Sequence, residues 1–297
     1  MVQTSFITLN SGFKIPTLAY GTFYIPRDVA EEAVIRAIKT GYRHIDCAMI
    51  YENEEEIGSG ISKALLSKGL AREDLFITTK VYVRPACEQS LKRLGLEYLD
   101  LYLIHLPTAF HTKPGEKMNP DGTGNVIFEK QSLENTWKAM ECLVAAGLVK
   151  SIGVSNFNRK QLDRIMSAGS IVPAVNQIEV NVDFMNTKLI EYCWSKGINI
   201  EAYGVLGNPG VMGARKPPLL EQPFIKKIAA AHNKTPAQIL LRHGLQRGLV
   251  VLCKSVTPSR LELNFNVLDF ELSEEEMKIL NTSGRNIRTF DIPAYVI

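Results

Sequence analysis

The amino-acid sequence predicts a (β/α)8 barrel, and three features of its patterning point to that fold. Short apolar, β-branched segments alternate with amphipathic helical patterns along all 297 residues, with no break in composition. Several segments are apolar at nearly every position, as are parallel strands covered on both faces. Eight such strands, each followed by a helix, form one barrel domain over residues 1–297. The predicted strands are residues 17–23, 44–46, 75–81, 99–105, 151–157, 174–180, 198–205 and 249–255.

An open doubly wound sheet with a second domain is the alternative fold. It is disfavoured because no GxGxxG motif follows the first strand. The opening segment, residues 5–21, predicts a hairpin that turns at Asn10, Ser11 and Gly12. Such a hairpin is expected to plug the N-terminal end of the barrel.

The predicted helices carry start and stop signals. The segment 28–41 begins with Asp28 as a possible N-cap and ends on a glycine. A second helix follows Asn53 as its cap, and three glutamates in its first turn complement the helix dipole. Thr235 and Pro236 supply the cap and the first residue of a later helix.

Two connections are long. Residues 106–130 join the fourth strand to its helix, and residues 206–222 follow the seventh strand. Loops that follow the strands of a barrel lie at its C-terminal face, where binding and catalysis take place. Both connections are therefore expected on the functional side.

Polar residues mark the ends of the second, third and fourth strands: Asp46, with Tyr51 just beyond it, then Lys80 and His105. Each alone has a structural explanation, respectively a cap, a helix contact, a rim lysine and a core histidine. Barrel closure, however, aims all four at one mouth. There Asp46 keeps the Lys80 ammonium charged, and that charge is expected to lower the pKa of Tyr51 below its usual ~10.

A neutral imidazole at His105 can hold a carbonyl oxygen. The set of four residues suits the donation of a proton to a carbonyl oxygen while another agent supplies hydride. A metal-dependent hydrolase is disfavoured, because the strand ends lack the histidine and carboxylate sets that metal ligation needs.

Five ordered motifs, "GYRHIDCAMIYENEEEIG", "LDLYLIHLP", "GVSNFN", "VNQIEVN" and "KSVTPSRLELNF", closely resemble the aldo-keto reductase superfamily, and specifically its aldose-reductase-like group. The resemblance implies NADPH-dependent, reversible reduction of aldehydes or ketones. It also implies that Tyr51 is the general acid and Lys80 its pKa-lowering partner. Asp46 is then the counter-ion of that lysine, and His105 orients the substrate.

The segment after the eighth strand suits a phosphate, because Lys254, Ser255, Thr257 and Arg260 offer cations, hydroxyls and a helix N-terminus. An ordinary solvated loop is the alternative. The resemblance assigns three of these side chains, Lys254, Ser255 and Arg260, to the adenosine 2′-phosphate, and hence favours NADPH over NADH. Asn264 is assigned to the adenine.

At the other end of the expected cofactor site, the resemblance places the nicotinamide between polar and aromatic side chains. Their amides and hydroxyls can both donate to and accept from a carboxamide. Tyr203 is expected to stack on the ring, and the loop that starts at Leu206 to fold over the pyrophosphate. The remaining predicted cofactor contacts are Thr22, Ser155, Asn156 and Gln177.

The substrate pocket is where the chain departs from the family pattern. The connection after Lys80 is short, Leu263 stands where relatives often have a carboxylate, and the C-terminal tail ends early. The predicted pocket residues are Phe23, Tyr82 and Leu106. A non-catalytic NADPH-binding barrel of the structural or channel-associated type is the alternative function that these departures leave open.

Composition narrows the function classes. A net charge of +3 favours neither nucleic acid nor a membrane surface as a partner. Five scattered cysteines predict buried free thiols in a reducing compartment, without a disulfide framework or a metal site. Neither a signal peptide nor a membrane span is expected. Composition therefore predicts a cytoplasmic protein. The resemblance to the aldo-keto reductases implies a monomer that acts on a small-molecule carbonyl substrate.

Overall fold

The computed structural model describes residues 5–81, 84–112, 126–129, 132–209 and 217–290. In chain order its strands are β1 (Phe6–Thr8), β2 (Lys14–Pro16), β3 (Leu18–Gly21), β4 (His44–Asp46), β5 (Phe76–Val81), β6 (Leu99–Ile104), β7 (Ala109–Thr112), β8 (Val126–Glu129), β9 (Val149–Ser155), β10 (Val175–Glu179), β11 (Asn199–Tyr203) and β12 (Val250–Cys253).

The helices are α1 (Arg27–Thr40), α2 (Glu54–Lys68), α3 (Arg84–Leu94), α4 (Leu133–Ala145), α5 (Arg159–Ala168), α6 (Thr187–Ser195), α7 (Pro223–Ala231), α8 (Pro236–Gln246), α9 (Pro258–Phe265) and α10 (Glu274–Thr282). None of these described helices is both long and apolar enough to cross a membrane.

Eight of the strands close into a parallel barrel, which confirms the predicted fold. The order around the barrel is β3, β4, β5, β6, β9, β10, β11, β12 and back to β3. Each predicted strand matches one of these eight to within a few residues at either end. The strand-end side chains therefore meet at one mouth, as parallel closure requires.

The core has two layers. The larger one lies between the strands and the surrounding helices, where Trp137 of α4 is fully buried and donates its indole N–H to the Ile171 carbonyl at 3.0 Å. The smaller one fills the barrel interior with side chains such as Phe76, Leu101 and Val250. The barrel interior is therefore filled mainly by apolar side chains, and a polar side chain buried there is unusual.

The N-terminal hairpin covers the bottom of the barrel as predicted. β1 and β2 pair antiparallel around a turn at residues 9–13. The Asn10 amide donates to the carbonyl oxygens of Val172, Pro173 and Gly197, which precede β10 and β11. These bonds fasten the turn to the N-terminal ends of the barrel strands.

Three additions interrupt the simple alternation. A second hairpin, β7–β8, lies within the long connection that follows β6. Two helices, α7 and α8, stand between β11 and β12, and α10 follows α9. Residues 106–130 and 206–222 were predicted as long connections, and the structure shows that both contain regular elements.

The predicted cap at Thr235 is confirmed, because its hydroxyl accepts the Gln238 backbone N–H. Of the two other cap predictions, that of Asp28 is wrong and that of Asn53 is confirmed in position only. α1 begins at Arg27 after Pro26, so Asp28 lies in the first turn instead of at the cap. Asn53 does occupy the cap position of α2, but its amide donates to the carbonyl oxygens of Thr22 and Ile25, each at 3.1 Å. It thereby ties α2 to the loop after β3.

The acidic run at the start of α2 also has a role that the dipole argument omitted. Glu54 is 1% exposed, and its carboxylate accepts hydrogen bonds from Thr79, Ser90 and Arg93 at 2.7–3.0 Å. It joins α2 to β5 through the Thr79 hydrogen bond and to α3 through a partly buried ion pair with Arg93. No disulfide joins the five cysteines, and four of them are buried as predicted, but Cys142 is exposed, contrary to the expectation of buried thiols.

Candidate active site

A cavity of about 790 Å³ opens at the carboxyl ends of the barrel strands. Cavities of this size hold a cofactor or a drug-sized ligand. Fifteen of the predicted site residues line it. They are Phe23, Asp46, Tyr51, His105, Leu106, Ser155, Asn156, Gln177, Tyr203, Leu206, Lys254, Ser255, Thr257, Arg260 and Asn264.

Three predicted residues fall elsewhere. Lys80 lies in the floor of the site, where it contacts Asp46 and Tyr51. Thr22 is fully buried and donates its hydroxyl to the Asp46 carbonyl at 2.9 Å, while its neighbours Gly21 and Phe23 line the cavity. Tyr82 lies outside the described residues.

The floor of the cavity is a buried ion pair. The Lys80 ammonium donates to both carboxylate oxygens of Asp46 at 2.7 Å and to the Cys47 carbonyl at 2.9 Å. Both side chains are at most 3% exposed. Burial is the largest single effect and lowers the pKa of Lys80. The attraction and hydrogen bond of Asp46, with the contributions of Tyr51 and Glu201, together outweigh it, so the pKa lies above that of a free lysine. Lys80 is therefore charged at neutral pH.

Tyr51 stands over this ion pair. The turn of 3-10 helix Met49–Tyr51 carries it from the end of β4 toward the cavity, and its hydroxyl lies 3.4 Å from the Lys80 ammonium. Its ring packs edge-on against those of Phe23 and His105, with centroids 5.1 and 5.9 Å away. The phenol is thus held in one place, with its oxygen beside a cation.

The expected lowering of the Tyr51 pKa is wrong for the structure as a whole. Burial of the phenol raises the pKa to about 12, even though Lys80 pulls it down; the nearby Asp46 charge adds to the rise. Desolvation disfavours the phenolate more than one ammonium favours it. Lys80 limits the rise without reversing it, and the phenol stays protonated at neutral pH.

His105 ends β6 on the other side of Tyr51. Burial and the nearby Lys80 charge lower the pKa of its imidazole to about 3. The ring is therefore neutral, as predicted, and keeps one donor and one acceptor nitrogen. The backbone carbonyl of His105 accepts the Asn156 amide N–H at 3.1 Å, which links β6 to β9 at the cavity rim.

The predicted nicotinamide contacts form a connected group. Asn156, in the left-handed region with φ 66°, accepts the Tyr203 hydroxyl at 2.7 Å. Ser155 donates its hydroxyl to the Gln177 backbone carbonyl at 2.9 Å. The Gln177 side chain points its NH₂ group down into the barrel, toward Asp46 at 2.9 Å and Glu201 at 2.6 Å. These side chains are therefore held in place by hydrogen bonds within the protein itself.

The predicted phosphate end lies between β12 and α9. Thr257 occupies the N-cap position of α9, and its backbone N–H donates to the Ser255 hydroxyl at 3.1 Å. The Tyr20 hydroxyl holds the Ser255 carbonyl at 2.8 Å. Lys254 and Arg260 are both exposed, and partial desolvation lowers the pKa of Lys254. Two cations and a hydroxyl thus line one end of the cavity.

Sequence reasoning missed the aromatic wall that the C-terminal tail supplies. The Phe290 ring lies 5.5 Å from that of Tyr203 and 6.4 Å from that of Phe23. The Glu179 carboxylate holds this segment by accepting the backbone N–H groups of Thr289 and Phe290 at 2.7 and 3.0 Å. The available signal was Glu179 itself, an acid at the end of the sixth barrel strand.

A second residue that the sequence did not bring forward is Glu201, a fully buried carboxyl that faces the barrel interior from β11. The alternating pattern of the seventh predicted strand contains an acid at this position, which is unusual in a packed core. That acid was the signal.

Comparisons with known proteins show which family this chain resembles. A profile described as the Aldo/keto reductase family matches residues 17–284. Aldo-keto reductase family 1 member C15 of Rattus norvegicus is 44% identical to this chain, with 95% of this chain and 92% of the relative covered. Prostaglandin-E(2) 9-reductase of Oryctolagus cuniculus is also 44% identical, with the same coverage of 95% and 92%.

A solved structure of the aldose reductase from Schistosoma japonicum superposes with a TM-score of 0.89 at 44% identity. The match covers 98% of this chain and 96% of that chain. The similarity thus extends over both the barrel and the loops that build the cavity. Relatives named as reductases favour catalysis over the alternative of a non-catalytic barrel. This chain belongs to the aldo/keto reductase family and is an enzyme of that family.

Proposed function

We propose that this enzyme reduces aldehydes or ketones to alcohols with NADPH, reversibly, and that Tyr51 is the general acid. One observation carries the proposal: Tyr51 lines the cavity, and its hydroxyl lies 3.4 Å from a buried, charged Lys80. A proton donor beside a fixed cation is what a carbonyl oxygen needs as it gains negative charge.

Each of the four residues has a separate role in the reaction. The substrate carbonyl oxygen binds between the Tyr51 hydroxyl and the neutral His105 ring, which donates one N–H to it. Tyr51 then donates its proton to the developing alkoxide. The transfer is favourable because an alkoxide is a stronger base than the Tyr51 phenolate, even though the pKa of the phenol is about 12. Lys80, held by Asp46, stabilises the phenolate left behind. Bound NADPH supplies the hydride for the carbonyl carbon.

The cavity suits an extended dinucleotide. Lys254, Ser255 and Arg260 would hold the 2′-phosphate at one end, and Asn264 the adenine. At the other end Ser155, Asn156 and Gln177 would hold the carboxamide, and the Tyr203 ring would face the nicotinamide. Thr22 and Leu206 would complete the cofactor contacts, and Phe23 and Leu106 would give the substrate an apolar wall.

Replacement of Tyr51 by Phe tests the acid. The variant keeps the ring contacts and loses only the hydroxyl, so turnover is expected to fall by about 10²–10⁴-fold. NADPH affinity, measured by fluorescence quenching, is expected to stay within about threefold. Tyr98→Phe, at the opposite end of β6, is the matched control and is expected to keep full turnover. Substantial turnover by Tyr51→Phe would overturn the assignment.

Replacement of Arg260 by Ala tests the choice of NADPH. A charged hydrogen bond contributes about 1.5–3 kcal/mol, so NADPH affinity is expected to drop roughly 10–150-fold. NADH affinity is expected to change little, because NADH lacks the 2′-phosphate. Arg36→Ala, which removes a surface ion pair on α1, is the control. Equal weakening of both cofactors by Arg260→Ala would place the phosphate elsewhere.

For the molecule as a whole, we propose one barrel domain that acts as a cytoplasmic monomer on small-molecule carbonyl substrates. Its five free thiols suit a reducing compartment. Light scattering during size-exclusion chromatography tests the monomer, for which a mass near 33.1 kDa is expected.

A further inference from the structure

Beneath the cavity, the barrel interior holds a second carboxyl that the reaction described above does not use. Glu201 on β11 is fully buried, and its Oε2 accepts an N–H of Gln177 at 2.6 Å. The other N–H of Gln177 goes to Asp46 Oδ1 at 2.9 Å. Both hydrogens of one amide are therefore held by two acids, and Asp46 is the one that binds Lys80.

The hydrogen bonds around His44 indicate which form Glu201 takes. His44 Nδ1 lies 3.3 Å from the Pro16 carbonyl, an acceptor, so Nδ1 carries the hydrogen. The other nitrogen, Nε2, carries none and accepts the Thr78 hydroxyl at 2.9 Å. Glu201 Oε1 lies 3.5 Å from that Nε2 and makes no hydrogen bond with any described residue. No donor among the described residues therefore reaches Oε1, and a buried carboxylate oxygen without a donor is costly, so the neutral acid fits this arrangement.

Electrostatics agree with a neutral Glu201. Burial, reinforced by repulsion from Asp46, raises the pKa of Glu201 to about 8, although Gln177 and Lys80 act to lower it. Burial lowers the pKa of His44 to about 3, so that ring brings no positive charge to compensate. At neutral pH, Glu201 is therefore a carboxylic acid whose Oε2 remains an acceptor.

The consequence falls on Gln177, which lines the cavity. With both N–H groups turned toward the barrel interior, Oε1 is the amide atom that accepts no hydrogen bond from the described residues. We propose that Glu201 is a positioning residue: with Asp46 it fixes the amide of Gln177 so that Oε1 accepts from the NH₂ group of the nicotinamide carboxamide. This inference rests on the proposed function, because it needs a nicotinamide at that end of the cavity.

The first test pairs Glu201→Leu with a cofactor that lacks the relevant NH₂ group. In 3-acetylpyridine adenine dinucleotide phosphate a methyl ketone replaces the carboxamide, so Gln177 has nothing to accept from. Glu201→Leu is expected to weaken NADPH about tenfold, the effect of one lost hydrogen bond, and to weaken the reduced acetylpyridine analogue less than threefold. Equal weakening of both cofactors would overturn the proposal.

Two further variants separate positioning from stability. Glu201→Gln keeps an oxygen that can accept from Gln177, and it is expected to bind NADPH within about threefold of the wild type at pH 7. Glu54→Gln changes another buried carboxylate, which bonds Thr79 and Arg93. It is expected to lower Tm without altering the ratio of NADPH to analogue affinity. A shift of that ratio in Glu54→Gln would attribute the effect to general destabilisation and overturn the proposal.

The pH dependence of binding supplies a readout that does not require Glu201→Leu to fold. The ionisable groups facing Glu201 are Asp46 and His44 from β4 and Lys80 from β5, while β10 brings Gln177 and β12 the apolar Val250. Ionisation of Glu201 above about pH 8 adds a negative charge beneath the nicotinamide. The affinity for cationic NADP⁺ relative to NADPH is therefore expected to rise through pH 8.

Glu201→Gln is expected to abolish that rise. The ratio of the two affinities cancels the titration of groups at the phosphate end, since both cofactors carry the same phosphates. An unchanged rise in Glu201→Gln would overturn the placement of this carboxyl beneath the nicotinamide. If the wild-type protein bound no NADPH, the proposed function itself would be wrong. Measurement of the wild type alone distinguishes that outcome from a failure of the Glu201 proposal.

Discussion

Replacement of Lys80 by Met removes the cation beneath Tyr51 while a similar volume is kept. The lost ammonium lies 3.4 Å from the Tyr51 oxygen. At an effective dielectric constant of about 20, two unit charges at that distance interact by about 5 kcal/mol. This corresponds to between about three and four pKa units by which Lys80 favours the phenolate. Without it, Tyr51 becomes a much weaker acid.

The expected result is a fall in kcat/KM of about 10²–10⁴-fold, the usual range for one general acid. Stability is expected to fall as well, by about 3–5 kcal/mol, because Asp46 is left as a buried carboxylate without its cation. Steady-state kinetics with an aldehyde panel measures the first effect and urea unfolding the second. Binding of NADPH by the folded variant confirms that the site has formed.

Two results would refute this reasoning. If Lys80→Met kept kcat/KM within about threefold of the wild type, the ammonium would not be acting on the acid. If the variant lost activity only because it failed to bind NADPH, Lys80 would be a binding residue. Lys63→Met, which removes an exposed ion pair with Glu31 on the barrel surface, is the control and is expected to change neither quantity.

Two further predictions concern the pocket and acid stability. Phe290→Ala removes an aromatic wall beside Phe23 and Tyr203, so KM for aromatic aldehydes is expected to rise about 3–10-fold, the effect of one lost aromatic contact, with less change for short aliphatic aldehydes; equal changes for both classes would remove Phe290 from the pocket. Burial lowers the pKa of His44 to about 3 and that of His243 to about 4. Between pH 6.5 and about 4, the unfolded chain therefore binds more protons than the folded protein. For each ring, the free energy of unfolding is expected to decrease by about 1.4 kcal/mol for every unit by which the pH is lowered. Urea unfolding over this range measures the slope; a His243→Asn variant with an unchanged slope would contradict the assignment.

The fold was predictable from the sequence because its signals are local. Buried parallel strands need apolar side chains on both faces, and caps such as Thr235 act within one turn of helix. Once eight strands are assigned, closure requires that the residues at their carboxyl ends converge. Asp46, Tyr51, Lys80 and His105 were therefore predictable as one group from positions far apart in the chain.

Other features depend on which segments pack together, and only the tertiary structure decided them. Phe290 reaches the cavity because Glu179, more than a hundred residues earlier, holds the backbone of the tail. An acid at the end of a barrel strand marks Glu179 as unusual, but nothing in the local sequence indicates that its partner is the tail. The connections after β6 and β11 also acquired regular elements that their composition did not indicate.

The electrostatics of the site were also decided in part by the tertiary structure. The sequence by itself determined that Lys80 and Tyr51 stand together, and therefore that the cation favours the phenolate. The depth of burial determined that the pKa of Tyr51 nevertheless rises to about 12. Charge pairing follows from residue identity and strand order, whereas desolvation depends on every atom packed around the group. The orientation of Gln177 between Asp46 and Glu201 was decided in the same way, by three strands meeting inside a closed barrel.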